Sequence, residues 1–208
     1  YKKRIEIISD LNTFKEINKN ISIKTPDNLN LDENYKKNVR QTRERTGLEE
    51  AAITGTCNIG GIKTVIILLD FGFMGGSMGL IVGEKISKAF NYASRNKLPI
   101  VSMISSGGER VQEGLFSLVQ MIKTVISTKE LENKELPHIS LFSNPSGGQV
   151  YGSFANRADF KLAEPGAIMG LFPLNELIDN SKGASKIDIS SAVSYTHLRA
   201  HETREDSG

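Results

Sequence analysis

The apolar residues of this chain fall into three stretches that share one plan. Residues 51–57 and 63–71 are nearly continuous aliphatic and β-branched runs, and Asn58-Ile59-Gly60-Gly61 between them has the turn chemistry of a hairpin. After Phe71 the chain passes through Met74-Gly75-Gly76-Ser77-Met78-Gly79 into a segment whose apolar positions, Val82, Ile86, Ala89, Phe90 and Ala93, follow a helical period. A strand over 99–104 runs into Ser105-Ser106-Gly107-Gly108 and then a second helix, with Val111, Leu115, Leu118, Val119, Ile122 and Val125 on one side. A strand over 137–142 leads to Asn144-Pro145-Ser146-Gly147-Gly148 and a shorter helix through Val150 and Phe154, and 160–163 and 167–170 read as further strands. Strand, glycine pair and helix thus recur three times, a loose repeat that implies stacked βα turns in an α/β fold.

Ahead of this core, residues 1–48 read as an arm. Ile5, Ile7, Ile8, Leu11, Phe14 and Ile17 have a roughly helical spacing suited to a short surface helix, and 34–46 has a helical look. Lys36, Lys37, Arg40, Arg43 and Arg45 on the second segment fit either a solvated helix face or a phosphate-binding patch. The core is expected to run over 49–192.

Composition narrows the function classes. Over 208 residues, 26 Lys and Arg stand against 24 Asp and Glu, a net charge of +2 that offers no electrostatic case for nucleic acid. The single cysteine, Cys57, closes no internal disulfide and builds no zinc site alone, which fits a reducing compartment. No stretch approaches the roughly 20 apolar residues of a membrane span, and Tyr1-Lys2-Lys3-Arg4 leads into an amphipathic segment rather than a signal core. A soluble, cytoplasmic protein is expected, with no membrane partner. The chain opens on Tyr1 instead of Met, so its natural start is expected upstream. Residues 193–208, with Val193-Ser194-Tyr195-Thr196-His197-Leu198-Arg199-Ala200-His201-Glu202-Thr203, resemble the translation of a sequencing adapter; a natural polar tail is the alternative. On the adapter reading the frame is cut near Ala192, and the i, i+4 pair His197 and His201 is no metal site.

Glycine pairs at helix starts carry the chemistry. A helix N-terminus has free N–H groups and about half a positive charge, and glycine lets a substrate oxygen approach two successive amides. A donor aimed where transition-state charge develops is worth about 3–4 kcal/mol. The bland reading is that such pairs only make tight turns, but three in register point to a shared site. No pair fits the P-loop or the dinucleotide fingerprint. Gly75-Gly76-Ser77-Met78-Gly79 does match G-x-S-x-G, the nucleophile elbow of hydrolases, which would need an acid and then a histidine downstream. Outside the tail only His138 remains, and no Asp lies between it and Ser77.

At these same residues the chain resembles the carboxyltransferase β subunits of bacterial and plastid acetyl-CoA carboxylase, members of the crotonase-like superfamily. The likeness runs through Arg43-Glu44-Arg45-Thr46-Gly47, Asp70-Phe71-Gly72-Phe73-Met74-Gly75-Gly76-Ser77-Met78-Gly79, Val82-Gly83-Glu84-Lys85, Ser106-Gly107-Gly108-Glu109-Arg110-Val111-Gln112-Glu113-Gly114 and Ala163-Glu164-Pro165-Gly166-Ala167. It implies a crotonase/ClpP-like spiral of repeated ββα units behind the N-terminal helical arm. It also implies carboxyl transfer from carboxybiotin, held on a biotin carboxyl carrier protein, to acetyl-CoA through an enolate, giving malonyl-CoA for fatty acid synthesis. The active site is expected at the interface with a carboxyltransferase α subunit, in a heterotetramer of two α and two β chains, in the cytoplasm or, for a plant-type protein, the plastid stroma. By position Gly147 and Gly148 match the pair whose amides form an oxyanion hole. Gly107 and Gly108 match the pair lining the acyl-CoA pocket, with Gly75 and Gly76 also substrate-binding. Arg110 is either a CoA-phosphate ligand or an ion-pair partner of Glu113.

Three stretches depart from the family pattern. Glu109 stands where Ala is usual, Gln149-Val150-Tyr151-Gly152 replaces small residues, and Leu171-Phe172-Pro173-Leu174 replaces a Gly-Pro-Arg segment. No metal ligand is expected within the chain; zinc enters only if the family's ribbon of C-x-x-C knuckles exists upstream of Tyr1. The alternatives are a related acyl-CoA carboxyltransferase or decarboxylase subunit, and a non-catalytic subunit of such a complex.

Overall fold

The computed structural model describes residues 1–21, 31–171 and 190–191. In chain order the helices and strands are α1 (Lys2–Ile8), β1 (Lys15–Ile17), α2 (Glu33–Thr46), β2 (Ala52–Ile59), β3 (Ile62–Leu69), α3 (Leu80–Asn96), β4 (Ile100–Ser106), α4 (Leu115–Glu132), β5 (His138–Gly147), α5 (Gly148–Tyr151), β6 (Phe160–Ala163), β7 (Ile168–Gly170) and β8 (Ser190–Ser191). The adapter-like residues and Phe172-Pro173-Leu174 lie outside the described residues.

β2 and β3 form the expected antiparallel hairpin, closed by Gly60 and Gly61, both at positive φ. β3, β4 and β5 are then parallel neighbours, with Val65, Ile100 and His138 side by side. The crossovers carry α3 and α4. Val65 to Leu69 are fully buried, as strands covered on both faces require. β6 and β7 both pair with β5, β6 along 139–142 and β7 at 146–147, and β8 adds antiparallel to β7. The result is the α/β fold of stacked strand–turn–helix units that the repeat implied, and it is crotonase-like.

The helical spacing over 1–20 holds only for α1. Asp10 ends it: its carboxylate accepts from the amides of Gly60 and Gly61 at 3.0 and 2.8 Å, and Asn12 then turns the chain at positive φ. Phe14 and Ile17 therefore belong to an extended stretch in which β1 pairs with the free edge of β2. Gly55 makes room there, since a Cβ would strike the Phe14 ring. α2 forms as expected, ends at Gly47 in the left-handed region, and buries Tyr35. Its basic residues are exposed, with Lys36 paired to Glu33 and Arg43 to Glu49, as on a solvated face.

The two crossover helices use opposite logic. α3 buries Val82, Ile86, Ala89, Phe90 and Ala93, the face its periodicity marked. α4 is inverted: Leu115 is 72% exposed, Ile122 60% and Ile126 64%, while Ser117, Gln120, Thr124, Ser127 and Thr128 are buried. The contact with α3 explains the choice. Gln120 fills the space beside Gly83, the Ser87 and Ser127 hydroxyls meet at 2.6 Å, and Lys123 pairs with Glu84 at the rim. Small and hydrogen-bonded side chains let the helices approach, and Lys123 holds the Glu84 carboxyl below its ordinary range against the opposing effect of burial. The apolar stripe of α4 is left facing outward.

His138 is packed at the start of β5, 3% exposed, with Nε2 2.8 Å from the Ser102 hydroxyl and its ring edge-on to Phe90 at 5.1 Å. Burial pushes its pKa from 6.5 down to about 3. The folded state thus takes up this proton only well below the unfolded value. Its contribution to stability is complete above pH 6.5 and is lost as the pH falls toward 3. Urea unfolding between pH 6.5 and 5 is expected to lose up to about 1.4 kcal/mol per pH unit from this group. His138→Gln should flatten that slope.

Candidate functional site

β3, β4 and β5 run parallel with Leu68, Met103 and Leu141 abreast, so their carboxyl ends lie on one side, at the edge where ligands of parallel α/β sheets bind. The three glycine turns emerge here and touch. Gly76 has φ +64°, and a Cβ on it would run into the Ser105 carbonyl; the Ser106 hydroxyl donates to the Gly76 carbonyl at 2.7 Å. The Gly107 amide donates to the Gly75 carbonyl at 2.8 Å, and Met78 and Arg110 continue the pairing through the Gly108 carbonyl and the Arg110 amide. On its other side Gly108 lies against the third turn, where a Cβ on Gly148 would come within 2.9 Å of the Gly108 Cα. All six sequence-marked glycines are therefore assembled in one place.

Their roles differ from a set of three equal donor pairs. The Gly107 amide is spent on Gly75, the Gly108 amide on the Ser106 hydroxyl at 3.1 Å, and the Gly76 amide on Phe73 at 2.9 Å. The Cα atoms of Gly76 and Gly108 serve instead for close packing of one turn on the next. Only the third pair adjoins an α-helix directly, Gly147 preceding α5 and Gly148 opening it: α3 starts at Leu80 and α4 at Leu115, behind Gly79 and Gly114. The start of α3 is already occupied, since a Glu113 carboxylate oxygen accepts from the Leu80 amide. In the third turn, the Gln149 amide donates to a Glu109 carboxylate oxygen at 3.3 Å.

Between the two open roles for Arg110, the structure shows the ion pair. Its side chain is fully buried and bidentate to Glu50, both contacts at 2.8 Å, with Glu113 at 3.4 Å and the Ser77 hydroxyl and carbonyl at 3.1 and 3.0 Å. No part of it reaches solvent to meet a phosphate. Burial disfavours the charged guanidinium, but Glu50 outweighs it and the pKa rises. Tyr35 completes the cluster by donating to Glu113 at 2.7 Å, its phenol pushed up by burial. Glu50 and Tyr35 carried no signal in the sequence, because nothing local distinguishes Glu50 from its exposed neighbour Glu49.

The nucleophile-elbow alternative is not assembled. The Ser77 hydroxyl donates to the Met74 carbonyl at 2.8 Å and accepts from Arg110, whereas His138 sits at the opposite end of the parallel strands. Among the described residues no group of His, Cys, Asp and Glu could hold a metal ion. No helix among them is long and apolar enough to cross a membrane.

Solved structures share this fold. The transcarboxylase 12S hexamer core with hydrolysed methylmalonyl-coenzyme A bound superposes with a TM-score of 0.71 at 23% identity, over 90% of this chain and 34% of that one. The Pseudomonas malonate decarboxylase MdcD-MdcE hetero-dimer gives 0.69 at 18%, over 95% and 75%. The Carboxyl transferase domain family matches residues 4–171, and the chain belongs to that family. Among curated relatives, the acetyl-coenzyme A carboxylase carboxyl transferase subunit beta of Clostridioides difficile (strain 630) is 44% identical over 81% of this chain and 58% of its own. Subunit beta 1 of Lachnospira eligens is 41% identical over 80% and 64%. The chain thus spans about three fifths of the length of these relatives.

Arg110→Met should leave Glu50 and Glu113 buried without a countercharge, a change that costs about 3–5 kcal/mol in comparable pairs. Urea unfolding is expected to register that loss, and adding Glu50→Gln should recover part of it.

Proposed function

We propose that the chain is the carboxyltransferase β subunit of an acetyl-CoA carboxylase, moving a carboxyl group from carboxybiotin to acetyl-CoA to give malonyl-CoA for fatty acid synthesis. The observation that carries this reading is the contact of Gly107–Gly108 with Gly147–Gly148 at the strand ends, in a chain 44% identical to such a subunit. The second and third turns approach so closely that no Cβ fits between Gly108 and Gly148, and the main-chain groups at this junction suit thioester and ureido oxygens. Carboxybiotin, carried on a separate biotin carboxyl carrier protein, supplies the carboxyl group and a weakly basic ureido nitrogen. The residues of this chain bind and orient the acceptor.

Gly147 and Gly148 hold the developing oxyanion through main-chain amides, and Gly107, Gly108, Gly75 and Gly76 line the acyl end of the CoA pocket. Arg110 is a positioning residue: through Ser77 and Glu50 it fixes the first two turns. Amide donors suit a reaction whose difficulty is charge on oxygen, and they act without reorganising. Zinc belongs to this reading only through an upstream ribbon.

The outward apolar stripe of α4 supports docking of an α subunit beside the crevice. Leu115, Leu118, Ile122 and Ile126 form a helical-period face too apolar to stay in water in an assembled enzyme. We assign the complex two α and two β chains and a cytoplasmic site, or the stroma for a plant-type protein.

In the complete α–β complex, Gly148→Val should cut kcat for malonyl-CoA formation by about 10²-fold or more. The new Cβ would strike Gly108 at a positive-φ position, so the third turn must shift, and circular dichroism with co-elution of the α subunit separates that local shift from loss of the fold. Full activity in a folded complex would overturn the site assignment. Ile122→Glu should abolish co-elution with the α subunit on size exclusion while leaving the β chain folded; normal co-elution would remove α4 from the interface.

A further inference from the structure

The carboxylate of Glu109 lies against the third glycine turn. One oxygen is 3.3 Å from the Gln149 amide and 2.8 Å from where a Cβ on Gly148 would stand. Its backbone is bridged to Met78, and its side chain reaches the third turn through the Gln149 amide. Among the described residues no Lys or Arg forms an ion pair with it. The nearby guanidinium of Arg110 is fully engaged by Glu50, Glu113 and Ser77. A half-buried, uncompensated negative charge therefore borders the place where the acyl group would sit.

We propose that Glu109 is a specificity-determining residue that makes this crevice discriminate against acyl thioesters carrying their own carboxylate. The inference rests on the crevice being the acyl-CoA site proposed above. A neutral acetyl group brings no charge to Glu109. A dicarboxylic acyl group such as malonyl places a carboxylate two bonds from the thioester carbonyl, a few ångströms from the resident one. Like charges at that separation repel strongly where water is thinned. Glu109 thus weakens binding of the carboxylated product relative to the neutral acceptor, which favours product departure and slows the reverse reaction.

The test uses the complete α–β complex without carrier protein or biotin, so that nothing turns over, and measures affinities for acetyl-CoA, malonyl-CoA and free CoA by calorimetry. Glu109→Gln keeps the size and the hydrogen-bond acceptor and removes only the charge. It is expected to tighten malonyl-CoA by about tenfold while acetyl-CoA and CoA stay within about twofold. A purely structural cap on the Gln149 amide would not move that ratio. Glu109→Ala should shift it the same way, and it serves if the Gln variant fails to assemble. An unchanged malonyl-to-acetyl ratio in a complex that still carboxylates acetyl-CoA overturns the role of Glu109 and leaves the activity standing. A shifted ratio in a complex incapable of carboxyl transfer keeps Glu109 and overturns the activity. A folded complex that binds no acyl-CoA overturns both.

Discussion

The buried guanidinium of Arg110 is the constraint from which the crevice follows. It joins Glu50 at the entrance to β2, Ser77 in the first glycine turn and Glu113 in the second, and through Glu113 it reaches Tyr35 of α2 and the first turn of α3. Five separate pieces of chain are thereby referred to one planar cation. Such a cluster is a poor source of net stability, because desolvating three charges costs about what their attraction returns. Its value is geometric. A fork with fixed donor directions tolerates few arrangements of its acceptors, so the two turns are held at one relative position. The glycine turns have no side chains of their own with which to lock each other.

That rigidity matters because the crevice is made of main chain. Side-chain sites can be tuned by rotamers, but a backbone site is only as well placed as the loops that carry it. Here the first two loops are fixed twice: by the parallel register of β3, β4 and β5 beneath them, and by the hydrogen bonds from Ser106, Gly107 and Met78 that join them. Gly76 and Gly148 are needed for different reasons, the first because a carbonyl occupies the Cβ position, the second because another glycine does.

Much of the fold was legible in the sequence. The hairpin over β2 and β3, the buried face of α3 and the order of strands followed from periodicity and turn chemistry, since local pattern and tertiary environment agree there. Two elements show where the pattern falls short. In the first 20 residues a helical spacing continues past Asp10, yet a carboxylate bound to a hairpin turn and a free sheet edge draw Phe14 and Ile17 into extended structure. In α4 the apolar stripe marks a face correctly but not its direction, because the choice of inside was made by Gly83 and Ser87 on a different helix. The six glycines were legible as a group; that the Gly107 amide is spent on the first turn was not, since its carbonyl partner, Gly75, lies some 30 residues away. Glu50 was invisible for the same reason.

The inverted α4 and the bare crevice are two sides of one arrangement. Packing α3 on α4 through glycine, serine, threonine and glutamine keeps the helices close, and Gln149 at the head of α5 is tied to α4 as well, its side-chain amide donating to the Leu118 carbonyl at 3.1 Å. The third glycine turn is thus anchored to the helix whose outer face is apolar. A partner seated on Leu118 and Ile122 would press on the same helix that holds Gln149, and through it on the amides beside Glu109. On the function proposed above, occupancy of the stripe and the position of the oxyanion donors would be coupled through the bond from Gln149 to α4. That coupling gives a physical reason for a site of this kind to be completed only when a second chain covers α4.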